Sequence, residues 1–217
     1  MLVFVTLFGC GKQEKNLNNK KDVFSYNPLI ANNSSLNNNE MFYKENLIKF
    51  VFSDDKKTIV EEQIINKRQG ELNYKARKLS TELFLRNKGI KGKEKEEAIE
   101  ELKNEQIFFF EFEEQTKKNI LTTFFEDTET PIKYLSFKII NDFKLVNDKG
   151  DTLTAIYSNY ENSSHIVPFE RLIISFPKPN NDSDYTLIYK DKLFTNDIIK
   201  FSFPSDKEIQ NNFNKIL

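Results

Sequence analysis

The 217-residue chain carries 32 basic and 33 acidic side chains, a formal net charge of −1, and this balance gives no electrostatic ground for a nucleic-acid partner. Hydrophobic residues make up 38 % and charged residues 30 %, enough apolar matter for one medium domain or two small ones under a heavily charged surface. With 21 Phe, 8 Tyr and no Trp, the apolar content favours pleated, half-buried strands, and the single cysteine excludes a disulfide within the chain.

Residues Leu2 to Gly9 read LVFVTLFG and are followed by Cys10. The run is too short to span a bilayer, which needs roughly 20 apolar residues, but it suits the end of a signal-peptide apolar region. A small residue before a cut lets a peptidase approach the backbone, and a thiolate is the nucleophile suited to accepting a lipid. Leu7-Phe8-Gly9-Cys10 resembles the lipobox of bacterial lipoproteins, and its bulky Phe8 is similar to the looser spirochaete-type pattern. The resemblance implies cleavage before Cys10, diacylglycerol on its sulfur and acylation, such as palmitate, of the new amine. Residues 1–9 are then a signal peptide shortened at its basic end, since Leu2 follows Met1 directly, and translation is expected to start upstream. Each buried CH₂ contributes about 0.8 kcal/mol, so several acyl chains hold a protein at a membrane where one is marginal.

Residues 10–40 continue as a polar stretch rich in Asn, with Lys12, Lys15, Lys20 and Lys21 and only short apolar islands such as Val23-Phe24 and Leu29-Ile30. So little apolar surface cannot offset the entropy of ordering, and the sequence predicts a disordered tether. Polar tethers of this kind are typical of the lipoproteins that the lipobox resembles.

From Met41 to Leu217 the pattern is that of a globular domain. Residues 47–52 predict a strand with Ile48, Phe50 and Phe52 on one face. Thr58 with Glu61 has capping-box spacing, and Ile65, Leu72, Ala76, Leu79 and Leu83 fall on one stripe at helical spacing, so helices are expected over 54–105, broken near Gly70. Lys93 to Glu105 predicts a charged helix with Ile99 and Leu102 as its thin apolar edge. Beyond Glu105 the period changes to 2, and Phe108 to Phe112, apolar on both faces at its start, predicts a buried central strand; with one face exposed it would instead be a ligand groove or partner patch. Further strands are expected at 118–126, 133–146, 152–160, 169–176, 184–190 and 198–203, with a hairpin at Asn147 to Gly150. Ser205 to Glu208 is another capping box, opening a C-terminal helix over 205–217 with Ile209, Phe213 and Ile216 on one stripe. The expected fold is α+β: an antiparallel, immunoglobulin-like β-sandwich over 106–204, with a helical insertion after the first strand and a terminal helix on an end of the sheet. The other arrangement is a helical subdomain at 54–105 beside a separate sandwich.

Candidate chemistry is sparse. His165, the one histidine, sits in a loop beside Ser163 and Ser164 without a nucleophile-elbow glycine pattern, so neither a triad nor a zinc site is expected. Asp182 and Asp184 faintly resemble a calcium loop but lack its central glycine and distal glutamate. Neither a phosphate-cradling glycine run nor a dinucleotide fingerprint occurs, so no cofactor is expected. The pairs Glu61/Glu62 and Glu111/Glu113 could serve a glycosidase but read better as the wet face of a helix or strand. The charge-dense run Lys93 to Lys103 is a solvated helix or a docking face for a basic partner. The sequence therefore predicts a non-enzymatic lipoprotein of the cell envelope, held at the outer membrane through membrane lipid on Cys10. Its folded part is a surface binding or interaction module with loops at 159–165 and 178–184. The alternative is a periplasm-facing factor that assists envelope assembly or carries a hydrophobic ligand.

Overall fold

A computed structural model of the chain describes residues 40–52, 58–162, 166–179 and 183–213. Four strands come first: β1 (Glu40–Tyr43), β2 (Asn46–Phe52), β3 (Thr58–Gln69) and β4 (Leu72–Leu79). Two helices follow, α1 (Thr81–Asn87) and α2 (Gly92–Leu102), then the strand β5 (Glu105–Glu114). Next come α3 (Ile120–Phe124), α4 (Glu129–Phe137), a 3-10 turn (Ile139–Asp142), β6 (Phe143–Asn147), β7 (Thr152–Thr154) and β8 (Tyr157–Glu161). The chain closes with β9 (Phe169–Pro177), β10 (Tyr185–Lys190), β11 (Ile198–Phe203) and α5 (Asp206–Phe213).

These strands form two antiparallel sheets, one of seven strands in the order β1-β2-β3-β4-β5-β9-β8 and one of four in the order β11-β10-β6-β7. They pack face to face through aromatic side chains. Phe108, Phe110 and Phe112 of β5 meet Phe143, Tyr189, Phe201 and Phe203, with Phe110 to Phe143 at 4.9 Å and Phe110 to Phe201 at 5.5 Å between ring centroids. The mostly-β, two-sheet part of the expectation is what the structure has. β5 lies inside the large sheet, and its opposite face is also covered, because Ile107 and Phe109 pack with Leu79, Ile173 and Leu83 of α1. The strands expected at 47–52, 108–112, 169–176, 184–190 and 198–203, the hairpin at Asn147 to Gly150 and the helix after Lys93 all appear.

The segment expected to be helical over 54–105 is in large part a β-hairpin. β3 and β4 pair from Glu62↔Leu79 to Gln69↔Leu72, and helices occupy only the α1–α2 portion. The helical insertion therefore follows the fourth strand and not the first, and 58–79 is built into the large sheet, not into a helical subdomain. The stripe at helical spacing coincides with a stronger period-2 pattern: Leu72, Tyr74 and Ala76 face the core while Asn73, Lys75 and Arg77 face outward. Gly70 does not break a helix. It makes the tight turn of the hairpin at φ +59°, a left-handed conformation open to glycine.

Two further segments read as strands are helical. Over 118–126 the chain forms α3, where the Asn119 side chain accepts the Thr122 N–H at 3.1 Å and the adjacent Ile120 and Leu121 are both buried. Over 133–146 it runs through α4 and the 3-10 turn before β6 begins at Phe143. At the other end, Ser205 Oγ accepts the Glu208 N–H at 3.2 Å, as its capping-box spacing implied. Ile209 of α5 then packs against Met41, Tyr43, Ile48, Phe50 and Val60, closing the β1–β3 end of the sandwich. Among the described residues no helix is long and apolar enough to cross a membrane.

Candidate functional site

The outer face of the large sheet, which the small sheet does not cover, divides into two zones. At one end α1 and α2 lie over it, with Phe84 edge-on to Phe109 at 6.1 Å and Leu102 in the same cluster. Beyond Phe109 the face becomes a charged trough. Strand register sets its central row: Lys75 is opposite Glu111, Glu111 opposite Arg171, and Arg171 opposite Glu161. Lys75 Nζ lies 2.8 Å from Glu111 Oε2, Arg171 Nη2 2.7 Å from Glu111 Oε1, and Arg171 Nη1 3.5 Å from Glu161 Oε2. Arg77 donates to Glu62 at 2.6 Å, and Lys49 approaches the same carboxylate at 3.6 Å.

The charges are layered in depth. The side chains of Glu62 and Glu111 are only 3 % and 5 % exposed, whereas those of Lys49 and Lys75 are 39 % and 37 % exposed. Glu62 and Glu111 therefore lie at the floor beneath the lysines, while Arg171 and Glu161 stand at equal depth, 28 % and 29 % exposed. Burial alone would raise the Glu111 pKa, but Lys75 and Arg171 outweigh it and hold the carboxyl below its ordinary value of 4.5, so it stays ionised. Two adjoining hollows of about 360 and 540 Å³ follow this surface. Their walls carry five bases, Lys49, Lys75, Arg77, Lys117 and Arg171, and two acids, Glu111 and Glu113, with Glu62 and Glu161 paired to Arg77 and Arg171 beside them. The rings of Phe109 and Phe169 lie under Arg171 at 5.3 and 4.9 Å and give the cations an apolar, cation–π footing. The trough can therefore attract and hold an extended anionic surface.

A second polar site lies inside the sandwich, where strand alternation calls for apolar residues. Gln63 and Lys78 are cross-strand neighbours on the core face, and Gln106 is nearby on β5. Lys78 Nζ donates to Asp206 Oδ1 at 2.7 Å, and Gln63 Nε2 donates to the same atom at 2.9 Å. Tyr185 lies under the Lys78 ammonium at 5.1 Å and donates to Gln106 Oε1 at 3.3 Å. Burial works against the Lys78 charge, but Tyr185 and Asp206 more than offset it and raise its pKa above the usual lysine range, so it is a cation and not a nucleophilic amine. Burial pushes the Tyr185 hydroxyl up to about 12. A cavity of about 380 Å³ opens beside these groups, under α5.

Cys10, the tether, Ser163, Ser164, His165 and Asp182 lie outside the described residues. The loops 159–165 and 178–184 are described only in part, without 163–165 and 180–182. Asp184 accepts the Ser205 N–H at 2.8 Å and meets Lys44 at 3.5 Å, so it ties the start of β10 to the approach to α5. Glu111 and Glu113 share the outer, water-facing side of β5, as expected of a strand's wet face, but Glu111 lies deep in it. Glu61 bonds Arg86 at 2.7 Å, while Glu62 and Glu111 are nearly buried beneath cations. Among the described residues no three His, Cys, Asp or Glu side chains are grouped as a metal site would need. Sequence reasoning missed both the trough and the Gln63–Lys78 pair, although the alternation in 72–79 carried the signal for the trough. Comparison with protein-family models, curated proteins and solved structures finds no match for the chain.

Proposed function

We propose that the chain is a lipid-anchored lipoprotein of the bacterial envelope, held at the outer membrane through acylated Cys10, and that its folded part is a non-enzymatic docking module. The Leu7-Phe8-Gly9-Cys10 motif and the polar stretch after it support the anchor. The observation that carries the docking role is the outer-face trough, where five bases overhang buried carboxylates on a concave surface. An immunoglobulin-like sandwich belongs to the same proposal, supported by two antiparallel sheets packed face to face. The alternative, carriage of a hydrophobic ligand within the fold, draws less support. The space between the sheets is filled by packed rings, with Phe143 stacked on Tyr189 at 4.6 Å and Phe110 tilted against Tyr189 at 5.0 Å.

Detergent phase partitioning of the full chain beside Cys10→Ala tests the anchor. The wild type should enter the detergent phase and the variant the aqueous phase; identical partitioning refutes the anchor. The soluble Cys10→Ala chain then serves to test docking with poly-glutamate as probe. Binding should weaken as salt shortens the Debye length from about 30 Å at 0.01 M to about 8 Å at 0.15 M. Absence of binding at low salt rejects the trough as a docking face.

A further inference from the structure

The trough has a complement on the same molecule. α2 is an 11-residue helix with no buried residue, carrying Glu94, Glu96, Glu97, Glu100 and Glu101 against Lys93 and Lys95. All five glutamates are exposed, and the partly covered positions Lys95, Ala98, Ile99 and Leu102 recur at helical spacing on the opposite side. The outer side of α2 is thus acidic where the exposed rim of the trough presents Lys49, Lys75 and Lys117. The ion pairs it holds, Lys93–Glu97 at 3.5 Å with side chains 88 % and 64 % exposed, are of the kind that contributes little and exchanges readily.

We propose that the trough docks a second copy of this chain through the acidic side of that copy's α2, an inference that rests on the docking reading above. Dimensions agree. The trough runs from Lys49 on β2 to Arg171 on β9, four inter-strand steps or about 19 Å. A helix of 11 residues is about 16 Å long. Placement agrees as well. α2 and the trough share one face of the large sheet, separated by Phe109, so a single two-fold axis seats each helix in the opposite trough and closes the assembly as a dimer. The 11–39 segment is the wrong occupant on charge, since Lys12, Lys15, Lys20 and Lys21 outnumber Glu14 and Asp22. Anchored copies share a surface layer, which raises their effective concentration and lets a modest electrostatic contact operate.

Charge exchange provides the test, read by sedimentation equilibrium on the full Cys10→Ala chain at low and high salt. Trough variant Lys49→Glu/Lys117→Glu avoids the cations bonded to Glu111, and helix variant Glu97→Lys/Glu101→Lys lies on the exposed side of α2. The parent chain should dimerise at low salt, and each variant alone should do so at least about tenfold more weakly, because like charges then face each other. An equal mixture of the two variants should recover the dimer, as should one chain carrying all four substitutions. Recovery also shows that the variants fold. A parent chain that stays monomeric overturns the proposal, as does a dimer indifferent to both exchanges or a mixture that recovers nothing. Poly-glutamate binding by a chain that never dimerises would overturn this inference alone and leave the docking reading standing; loss of both would remove both.

Discussion

Asp191 should be among the most sensitive single positions in the fold. Its buried carboxylate follows β10 and accepts six hydrogen bonds, three on each oxygen. Oδ1 takes the Tyr189 hydroxyl at 3.0 Å and the N–H groups of Leu193 and Phe194 at 2.9 and 3.1 Å. Oδ2 takes the Tyr74 hydroxyl at 2.7 Å and the N–H and hydroxyl of Thr195 at 2.8 and 2.9 Å. Asp191→Asn keeps the shape, but one oxygen becomes an amide that donates, so three donors lose their acceptor and the charge assistance of the rest disappears. Hydrogen bonds to charged groups contribute about 1.5–3 kcal/mol each. Three lost together, with relaxation and non-additivity, give an expected destabilisation of about 3–5 kcal/mol. That is a large share of the roughly 5–15 kcal/mol that holds a domain folded. Urea unfolding of both chains at neutral pH measures it, and a difference under about 1 kcal/mol would refute the account. The pH dependence has a definite sign. Burial raises the carboxyl pKa, but Tyr74 and the N–H groups of Thr195, Phe194 and Leu193 outweigh it and hold it below the ordinary 3.8. The stabilisation is therefore complete above 3.8 and is lost as the pH falls through the lower folded-state value. The gap between wild type and variant should close as the medium is acidified.

Two other substitutions probe the remaining layers. Glu111→Gln removes the shared acid of Lys75 and Arg171, whose heads are partly hydrated, so the expected loss is about 1–3 kcal/mol by urea unfolding, shrinking in acid as Glu111 protonates in the wild type; an unchanged midpoint would show the row to be inert. Phe110→Ala empties the ring position that contacts Phe112, Phe143, Tyr189 and Phe201 at 4.9–5.5 Å, and should cost about 3–5 kcal/mol in the same assay, with a value near 1 contradicting the packing described.

Legibility from sequence followed how strongly each segment's pattern outweighed its alternatives. The Phe108 to Phe110 run is apolar on both faces, and only a strand inside a covered sheet satisfies it. The hairpin at 58–79 is opaque for a physical reason. Its outer face is built from Lys, Arg, Glu and Asn, several of them good helix formers, while four of its apolar residues, Ile65, Leu72, Ala76 and Leu79, also fit a 3.6 period. Pairing with β2 and β5 decides the matter, and that contact is nonlocal. In 120–137 the local cues are single side chains: Asn119 as a cap, and Asp127, whose side chain accepts the Glu129 N–H at 3.0 Å ahead of α4. The trough is invisible to any helical reading of 72–79, because Lys75 and Arg77 share a face with Glu111 and Arg171 only in strand register. The Gln63–Lys78 pair carries no sequence signature, since each residue looks like an ordinary surface position until the sheet turns it inward.

The β3–β4 hairpin also supplies two of the trough's cations, Lys75 and Arg77. A seven-stranded sheet that buries one face under a second sheet must leave the other wet, covered or paired. Here α1 and α2 cover the end around Phe109, and the remainder is kept in water by ionic rows. Were those rows needed only for solubility, acids and bases could share the rim in equal measure. Instead Glu62 and Glu111 sit at 3 % and 5 % exposure while Lys49 and Lys75 stand near 40 %. Burying carboxylates carries a desolvation cost that rim placement would avoid. The buried acids hold their basic partners at fixed spacing on rigid strands, which lowers the entropy that those side chains would lose on meeting an anionic surface. An arrangement that orders cations in advance and leaves their outer sides in water suits docking better than it suits stability. On that ground the charge-exchange experiment, more than any measurement of folding, decides what this face is for.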